Sequence, residues 1–456
     1  VTNTTRTACA LALVGLLGAA GAHAAEIPEA DPEALGGDKL TCIGAERAGN
    51  DDGTIPPYSG KWTEEWPGMG DPSTYEPGPY ADEEPLFTVT SDNYREHADK
   101  LTDGQKALFE NYPERFRMPV YESHRDFAYP DWVCDVVRNN AEEAELVSDG
   151  LGFTGTTGGI PFPFPQNGLE AQTNMQNPRR AWTEEAIQDQ AVVYPNGQIA
   201  EGKVQYYILS TWNHPTERGS NQDLVNSYFR VETLEPARNR GQINLGWTPN
   251  DNSNDRQAWF YSPGTRRVRQ APEFGFDTPQ GAGGFRTVDD DRLFNGSPER
   301  YNWELLGKKE IYVPYNVFRI NDPEVSYDDL LTPGTINPDY MRYELHRVWV
   351  IEATVKDDHR HIYARRRFYV DEDTWHALWV DNFDRRDELW RASFQTYFWS
   401  PEIPGYHAGA AVFHDLNADV YFADRLVNES STWWKLNEGD MTSEMFTPDA
   451  AKRAGH

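Results

Sequence analysis

Residues 343–391, YELHRVWVIEATVKDDHRHIYARRRFYVDEDTWHALWVDNFDRRDELWR, decide the fold. Runs rich in β-branched and aromatic side chains alternate with short acidic turns. Tyr343–Val355 leads through Asp357 and Asp358 into His361–Val370. Asp371, Glu372 and Asp373 then turn the chain into Thr374–Asn382, and a second polar turn opens Glu388–Trp399. Hairpins in series predict an antiparallel meander. Side-chain parity adds to this. Ile362, Ala364, Phe368 and Val370 share one face, with Arg366 interrupting it, while Tyr363, Arg365, Arg367 and Tyr369 share the other. In the next strand Trp375, Ala377 and Trp379 oppose His376, Leu378 and Val380. Large side chains on both faces imply a sheet covered twice, one face lining a cavity or meeting a lid and the other packed on helices or a wrapping segment.

The same pattern extends in both directions. Val204–Trp212, Tyr228–Leu234, Gln242–Trp247, Gln257–Ser262, Lys309–Pro314 and Ala418–Leu426 read as further strands. No helical stretch of twelve or more residues interrupts this part, which argues against a parallel β/α architecture. The predicted fold is therefore mainly β with α: a large curved antiparallel sheet or incomplete barrel. Helices are predicted over Asn93–Tyr112, Asp131–Leu146 and the end of the chain, where Thr447 caps a turn opened by Pro448. Residues 25–90, rich in Pro, Gly, Asp and Glu, read as an extended segment wrapping the surface. Pro161, Pro163 and Pro165 keep residues 158–168 out of any paired strand and make them a rigid loop carrying Phe162 and Phe164. The chain divides into a signal peptide (1–24), a wrapping and helical region (25–190) and an antiparallel half-barrel (191–456), with 25–456 expected to form one structural unit.

Composition bounds the function. The 456 residues carry 73 acidic and 42 basic side chains, a formal net charge of −31. Such a chain repels phosphate backbones and anionic membrane surfaces, which excludes nucleic acid as the natural partner. Fifteen Trp, 23 Tyr and 21 Phe supply large buried area per residue, which argues against disorder. Arg6, the apolar run Ala8–Ala20 and Ala22-His23-Ala24 have the form of a secretory signal peptide cleaved after Ala24. Cys9 lies inside the apolar run, not at a lipidation point, so a soluble periplasmic protein is expected. Cys42 and Cys134 remain, and two thiols in an oxidising compartment are expected to pair. The alternative is two buried free thiols.

Three longer stretches carry a family resemblance: residues 159–171 (GIPFPFPQNGLEA), residues 245–279 (LGWTPNDNSNDRQAWFYSPGTRRVRQAPEFGFDTP) and the opening segment 343–391. With residues 44–57 and the Phe446-Thr447-Pro448 end, they resemble the periplasmic family catalogued as domain of unknown function 1329. The hairpin elements around Pro263-Gly264 and Arg367–Thr374 are similar to strands of the outer-membrane lipoprotein-sorting proteins LolA and LolB. The resemblance implies a curved, incompletely closed sheet around an apolar cavity plugged by helices. It further implies a carrier of lipid or another large hydrophobic molecule, acting with an inner-membrane exporter of the resistance-nodulation-division type. Cys42 stands where the family pattern leads us to expect an apolar residue or proline.

The cavity-lining candidates are Trp259, Tyr261, Trp303, Trp379 and Trp390, with Phe162 and Phe164 as a flap. For each, ordinary core packing is the competing reading. Arg266, Arg267 and Arg269, and Arg365 to Arg367, either pair with carboxylates or grip an anionic head group. His359 and His361 could share a strand face, and Asp251 to Asp255 resembles a calcium loop, but Arg256 and Ser262 stand where that loop needs Gly and an acid. No metal site, cofactor motif or catalytic signature is found, so none is expected. Two alternatives to the carrier stay open. One is an envelope assembly subunit without cargo. The other is a carbohydrate-active enzyme with two carboxyls about 5–10 Å apart. A deep apolar cavity, a filled interior or an open cleft with facing acids would separate the three.

Overall fold

The computed structural model describes residues 31–62, 65–216, 218, 225–253, 256–270 and 277–454. The expected signal peptide lies outside the described residues. Thirteen strands make the main ribbon. The first six are β1 (Thr183–Val193), β2 (Ile199–Ser210), β3 (Ser227–Glu235), β4 (Ile243–Thr248), β5 (Gln257–Ser262) and β6 (Arg267–Gln270). The other seven are β7 (Tyr301–Pro314), β8 (Tyr343–Val355), β9 (Arg365–Asp371), β10 (Ala377–Phe383), β11 (Leu389–Ser400), β12 (Gly405–Asp415) and β13 (Val420–Leu426). In space they run β7 to β13 in chain order, then β1 to β6, because β13 pairs antiparallel with β1. Three short strands at 87–89, 118–120 and 435–436 complete a sheet of sixteen.

This order is a meander cut at one seam. Pairing β6 with β7 would close a barrel, but among the described residues the two strands are the free ends of the ribbon. The predicted incomplete antiparallel barrel is what forms. Exposed Arg267 and Arg269 occupy one edge strand, where charge discourages pairing with another chain. On the other edge β7 carries a bulge between Leu305 and Gly307, where φ of +100° at Gly307 suits a residue without Cβ.

The strands differ in depth. Every residue of β10 and of β12 is buried, whereas β3 is only half-buried along its length until exposed Glu235. The large apolar core runs beneath β7–β13 and β1 and includes Trp375, Trp379 and Trp434. A satellite cluster of Ile243, Leu245, Tyr261 and Ala451 fastens the C-terminal helix, Pro448–Ala454, to the far end of the ribbon. Thr447 Oγ1 accepts from Ala450 N–H there, as the capping pattern predicts.

Helix α1 (Asp103–Asn111) opens on a reciprocal cap between Thr102 and Gln105. Helix α2 (Asp131–Glu143) buries Val133, Val136 and Val137 as predicted. It ends before Leu146, because Ala144 is extended and 145–147 pairs with 152–154. The disulfide Cys42–Cys134, with Cα atoms 5.1 Å apart, ties the wrapping segment to α2. Among the elements that escape the sequence reading, three shape the site. Helix α3 (Gly168–Gln176) starts where Asn167 accepts from Glu170 N–H. Strand β1 is polar, and β12 is built from Gly and Ala. Neither shows the alternation of a half-exposed strand, because both are covered on two faces.

Candidate functional site

The connection between β6 and β7, described from residue 277, crosses one face of the sheet. Three arginines staple it there through four carboxylate contacts. Arg366 of β9 bonds Asp289 at 3.0 Å and Asp290 at 3.1 Å. Arg286 lies 3.0 Å from Asp424 of β13, and Arg292 lies 2.9 Å from Glu184 of β1. Arg366, the residue that interrupts the apolar face of β9, is thus the anchor of the seam. Arg365 and Arg367 flank it and pair with Glu352, whereas Arg266, Arg267 and Arg269 are exposed without an ion pair among the described residues.

Below the seam lies a compact charge cluster. The Glu184 carboxylate is buried and accepts from Arg425 at 2.7 Å, from Arg292 and from the Tyr206 hydroxyl, with His407 Nε2 3.6 Å away. Burial by itself would raise its pKa, but Arg425 and Arg292 outweigh burial and hold it well below the carboxylate range. Burial pushes His407 down to about 3 and leaves it neutral. Arg292 and Arg425 both adopt left-handed backbone, φ +51° and +63°, a conformation that costs a non-glycine residue and gathers at functional sites.

Arg180 completes the cluster differently. It follows α3 by four residues and precedes β1. Among the described residues no hydrogen bond, ion pair or aromatic ring meets its guanidinium. Burial and the neighbouring Arg292 lower its pKa to about 9. Arg180 and Arg292 line two hollows at once. The inner one, about 10 Å³, also reaches Glu184, His376, His407 and Arg425. The outer one, about 70 Å³, is lined by amides and hydroxyls from α3, β3, β4 and the seam, including Gln176, Asn226, Ser227, Thr248 and Asn295. No described residue lining the outer hollow is Asp or Glu, although acids make up 73 of the 456 residues.

The structure disperses the residues singled out from sequence. Trp259 and Tyr261 lie on the ribbon face covered by the C-terminal helix, with Trp259 4.5 Å from Trp247. Trp379 is fully buried, stacks on Phe394 and donates to Asp381 at 2.8 Å. Trp390 donates to Asp415 at 3.0 Å beside Tyr363. Trp303 donates to the Pro298 carbonyl and packs 5.0 Å from Phe294, one ring removed from the outer hollow. Phe162 and Phe164 are buried, and their loop is pinned by Asn174, which accepts from Phe162 N–H and donates to its carbonyl. Arg180, Glu184, Arg292, His407 and Arg425 were not anticipated. The one local signal was the Arg179-Arg180 pair entering a strand.

His361 Nε2 lies 3.0 Å from Asp289, whereas His359 is held by Asp358, so the two imidazoles serve different neighbours. Asp251 accepts from Ser148 and Ser253, while Asn254 and Asp255 of the calcium-like loop lie outside the described residues. His346, Asp371 and Asp373 place three possible ligand atoms within 4.8 Å of one another. Arg125 already grips both Asp373 oxygens, at 2.6 and 2.8 Å. Burial and Asp373 raise Asp371 to about 7, and Tyr315 and Thr374 donate to it. Arg125 thus compensates one of the two carboxylates of this set from within the chain. No helix among the described residues is long and apolar enough to cross a membrane.

Fold and site together define an open antiparallel half-barrel with a polar, arginine-bearing hollow at its base. The chain belongs to the family described as "Protein of unknown function (DUF1329)", whose model matches residues 88–452. It is 38% identical over 430 residues to the uncharacterized protein PA3922 of Pseudomonas aeruginosa, covering 93% of this chain and 94% of that one. Among solved structures, a DUF1329 family protein from Desulfovibrio piger is 14% identical with a TM-score of 0.37. That match covers 59% of this chain and 92% of the other. The LolA superfamily protein NE2245 from Nitrosomonas europaea is also 14% identical, with a TM-score of 0.34, over 62% of this chain and 96% of that one.

Proposed function

We propose that this protein is a periplasmic carrier of a lipid or another large apolar molecule, acting with an envelope exporter of the resistance-nodulation-division type. One observation carries the reading: the outer strands β2–β5 present an apolar face that is only half covered among the described residues. Ile208, Phe229, Ala258 and Phe260 share that face by register, and Phe229 and Phe260 are half-buried. Gly246 lies between the strands of Phe229 and Ala258, and the Phe229 ring and the Gln257 carbonyl already occupy the space a Cβ would take there, so this face is a closely packed apolar strip, the shallow trough of the ribbon. A half-covered apolar strip on a chain of net charge −31 favours a cargo or a partner over bulk solvent. The two best-formed hollows, about 70 and 10 Å³, fall well below the roughly 300–1,000 Å³ of ordinary ligand pockets. The cargo therefore lies along the trough and is not enclosed behind the packed half.

The filled interior of that half supports a second reading, an assembly subunit without cargo. For a glycosidase, the outer hollow supplies no carboxylate pair among the described residues. Organic extraction of protein purified from periplasm, followed by mass spectrometry, tests the carrier. Stoichiometric lipid is expected. Its absence, together with no binding of a fluorescent fatty acid or phospholipid, promotes the assembly subunit.

A further inference from the structure

The rungs that cross β2, β3 and β4 are ordered by polarity. Ser210, Ser227 and Thr248 are opposite one another in register, and Ser227 and Thr248 line the outer hollow. Two residues along each strand, on the same face, the next rung reads Glu184, Ile208, Phe229, Gly246 and Ala258. The one after it holds Ala186, Tyr206, Val231, Asn244 and Phe260. A polar pocket and an apolar trough thus meet edge to edge on one face. The charges are ordered as well. Glu184 is hydrogen-bonded by Arg292 and Arg425, and Arg180 feels Glu184 and Asp291 only at longer range, so it is the guanidinium of the cluster without a direct hydrogen bond or ion pair among the described residues. A guanidinium crowded by Arg292 and lacking a direct partner is costly to keep, and its forked donors match a carboxylate or phosphate.

We propose that the hollow at Arg180 binds an oxyanion, a phosphate or carboxylate group, and that this is the head-group site for an amphiphile whose apolar part lies along Ile208, Phe229 and Ala258. The inference rests on the carrier reading for the tail, and on Arg180 and its amide-rich surround for the head. A volume near 70 Å³ suits a single oxyanion, since one water claims about 30 Å³. Placing Arg180 just past the end of α3 would also complement the helix dipole. That role alone would make Arg180 stabilising in any buffer, which gives the test its second readout.

Native mass spectrometry with three probes, inorganic phosphate, dodecyl phosphate and 1-dodecanol, separates the sources of the chemistry. Wild-type protein is expected to prefer dodecyl phosphate over dodecanol at least about tenfold, with inorganic phosphate competing. In Arg180→Gln that preference should collapse to about unity. Phe229→Ser should weaken both dodecyl probes and leave phosphate binding intact. Melting in chloride buffer of matched ionic strength should place Arg180→Gln at or above wild type, because a charge crowded by burial and Arg292 has gone. Equal binding of dodecyl phosphate and dodecanol by wild type and Arg180→Gln would overturn the head-group site while leaving the carrier standing. Phosphate binding lost in Arg180→Gln, with neither dodecyl probe bound more tightly than phosphate, would keep the oxyanion site and sink the carrier. A lower melting temperature for Arg180→Gln with no phosphate response in wild type would make Arg180 a structural residue and overturn the proposal.

Discussion

The two arms of the ribbon are made from the same antiparallel pairing and differ in what covers them. From β8 through β13 to β1, both faces are packed, and the buried arginines there meet carboxylates: Arg366 with Asp289 and Asp290, Arg125 with Asp373. From β2 to β5, strands are half-covered, and Arg180, where the two arms meet, has no such direct partner among the described residues. Buried charges persist when they are paired. A chain that satisfies this rule in one half and leaves a guanidinium over in the other marks the second half as the place where something from outside binds.

Removing an anchor in the packed half should have the largest effect. Arg366→Met leaves Asp289 and Asp290 buried without their guanidinium, and we expect a loss of about 3–5 kcal/mol in urea unfolding. Adding Asp289→Asn and Asp290→Asn should recover much of that loss. If the single variant loses under 1 kcal/mol, the seam is not what holds the crossing segment, and the contrast between the halves fails.

Acid should act on the packed half through its buried histidines. His414 sits among the rings of Tyr421 and Phe394, at 5.5 and 6.2 Å, and burial lowers its pKa to about 4. The unfolded chain takes up this proton near pH 6.5, whereas the folded chain resists until about pH 4. The stability His414 contributes in its neutral form is therefore present above pH 6.5 and lost as pH falls between those values. Relative to His414→Phe, wild type should lose about 2 kcal/mol between pH 6.5 and 5. The difference between variants is the useful reading, because Asp381, raised to about 6 by burial, works in the opposite direction. A stability gap that stays constant with pH would show that His414 is not held neutral.

Much of the packed half was legible in sequence. The parity of residues 362–370 placed Arg366 on an apolar face, and the turns at 371–373 and 383–387 set the hairpins. The Cys42–Cys134 bond was readable from two cysteines in a chain whose N-terminus has the form of a signal peptide. The site was not legible, for a physical reason. Arg180, Glu184, Arg292, His407 and Arg425 come from four stretches that meet only because β13 pairs with β1 and the seam folds across them. Nothing local marks a residue whose partner is 108 or 241 positions away, as Arg292 and Arg425 are from Glu184. Aromatic content pointed to Trp259 and Trp379 as ligand walls, yet large rings serve cores and binding faces alike, and composition alone does not separate the two.

Amide hydrogen exchange compares the halves without mutation. Strands β3 to β5 should exchange faster than β10 to β12 by at least about a hundredfold, since their hydrogen bonds are backed by half-covered side chains. An added amphiphile should slow β2–β4 and leave β10–β12 unchanged. Uniform protection across the ribbon would mean that one cooperative unit spans both halves and that the trough is no more mobile than the core.

The smallest expected effect on stability is also the most pointed. Phe229 is half-buried on β3 and packs onto neither apolar cluster among the described residues. Truncating a core phenylalanine costs about 3–5 kcal/mol, but Phe229→Ala should cost under about 1.5 kcal/mol because part of the ring already faces water and it joins neither apolar cluster. If the ring contacts cargo, it removes some tens of Å² of apolar surface from water on binding. At roughly 25 cal/mol per Å², that is about 1 kcal/mol, or about a fivefold loss of affinity for an apolar probe. The two numbers move in opposite directions under the competing accounts. A ring that belongs to the fold lowers stability and leaves probe binding alone, while a ring that belongs to the ligand does the reverse. Fluorescent fatty-acid titration and urea unfolding of the same Phe229→Ala preparation decide between them. A large stability loss with unchanged affinity would return β3 to the core and dissolve the distinction between the two halves.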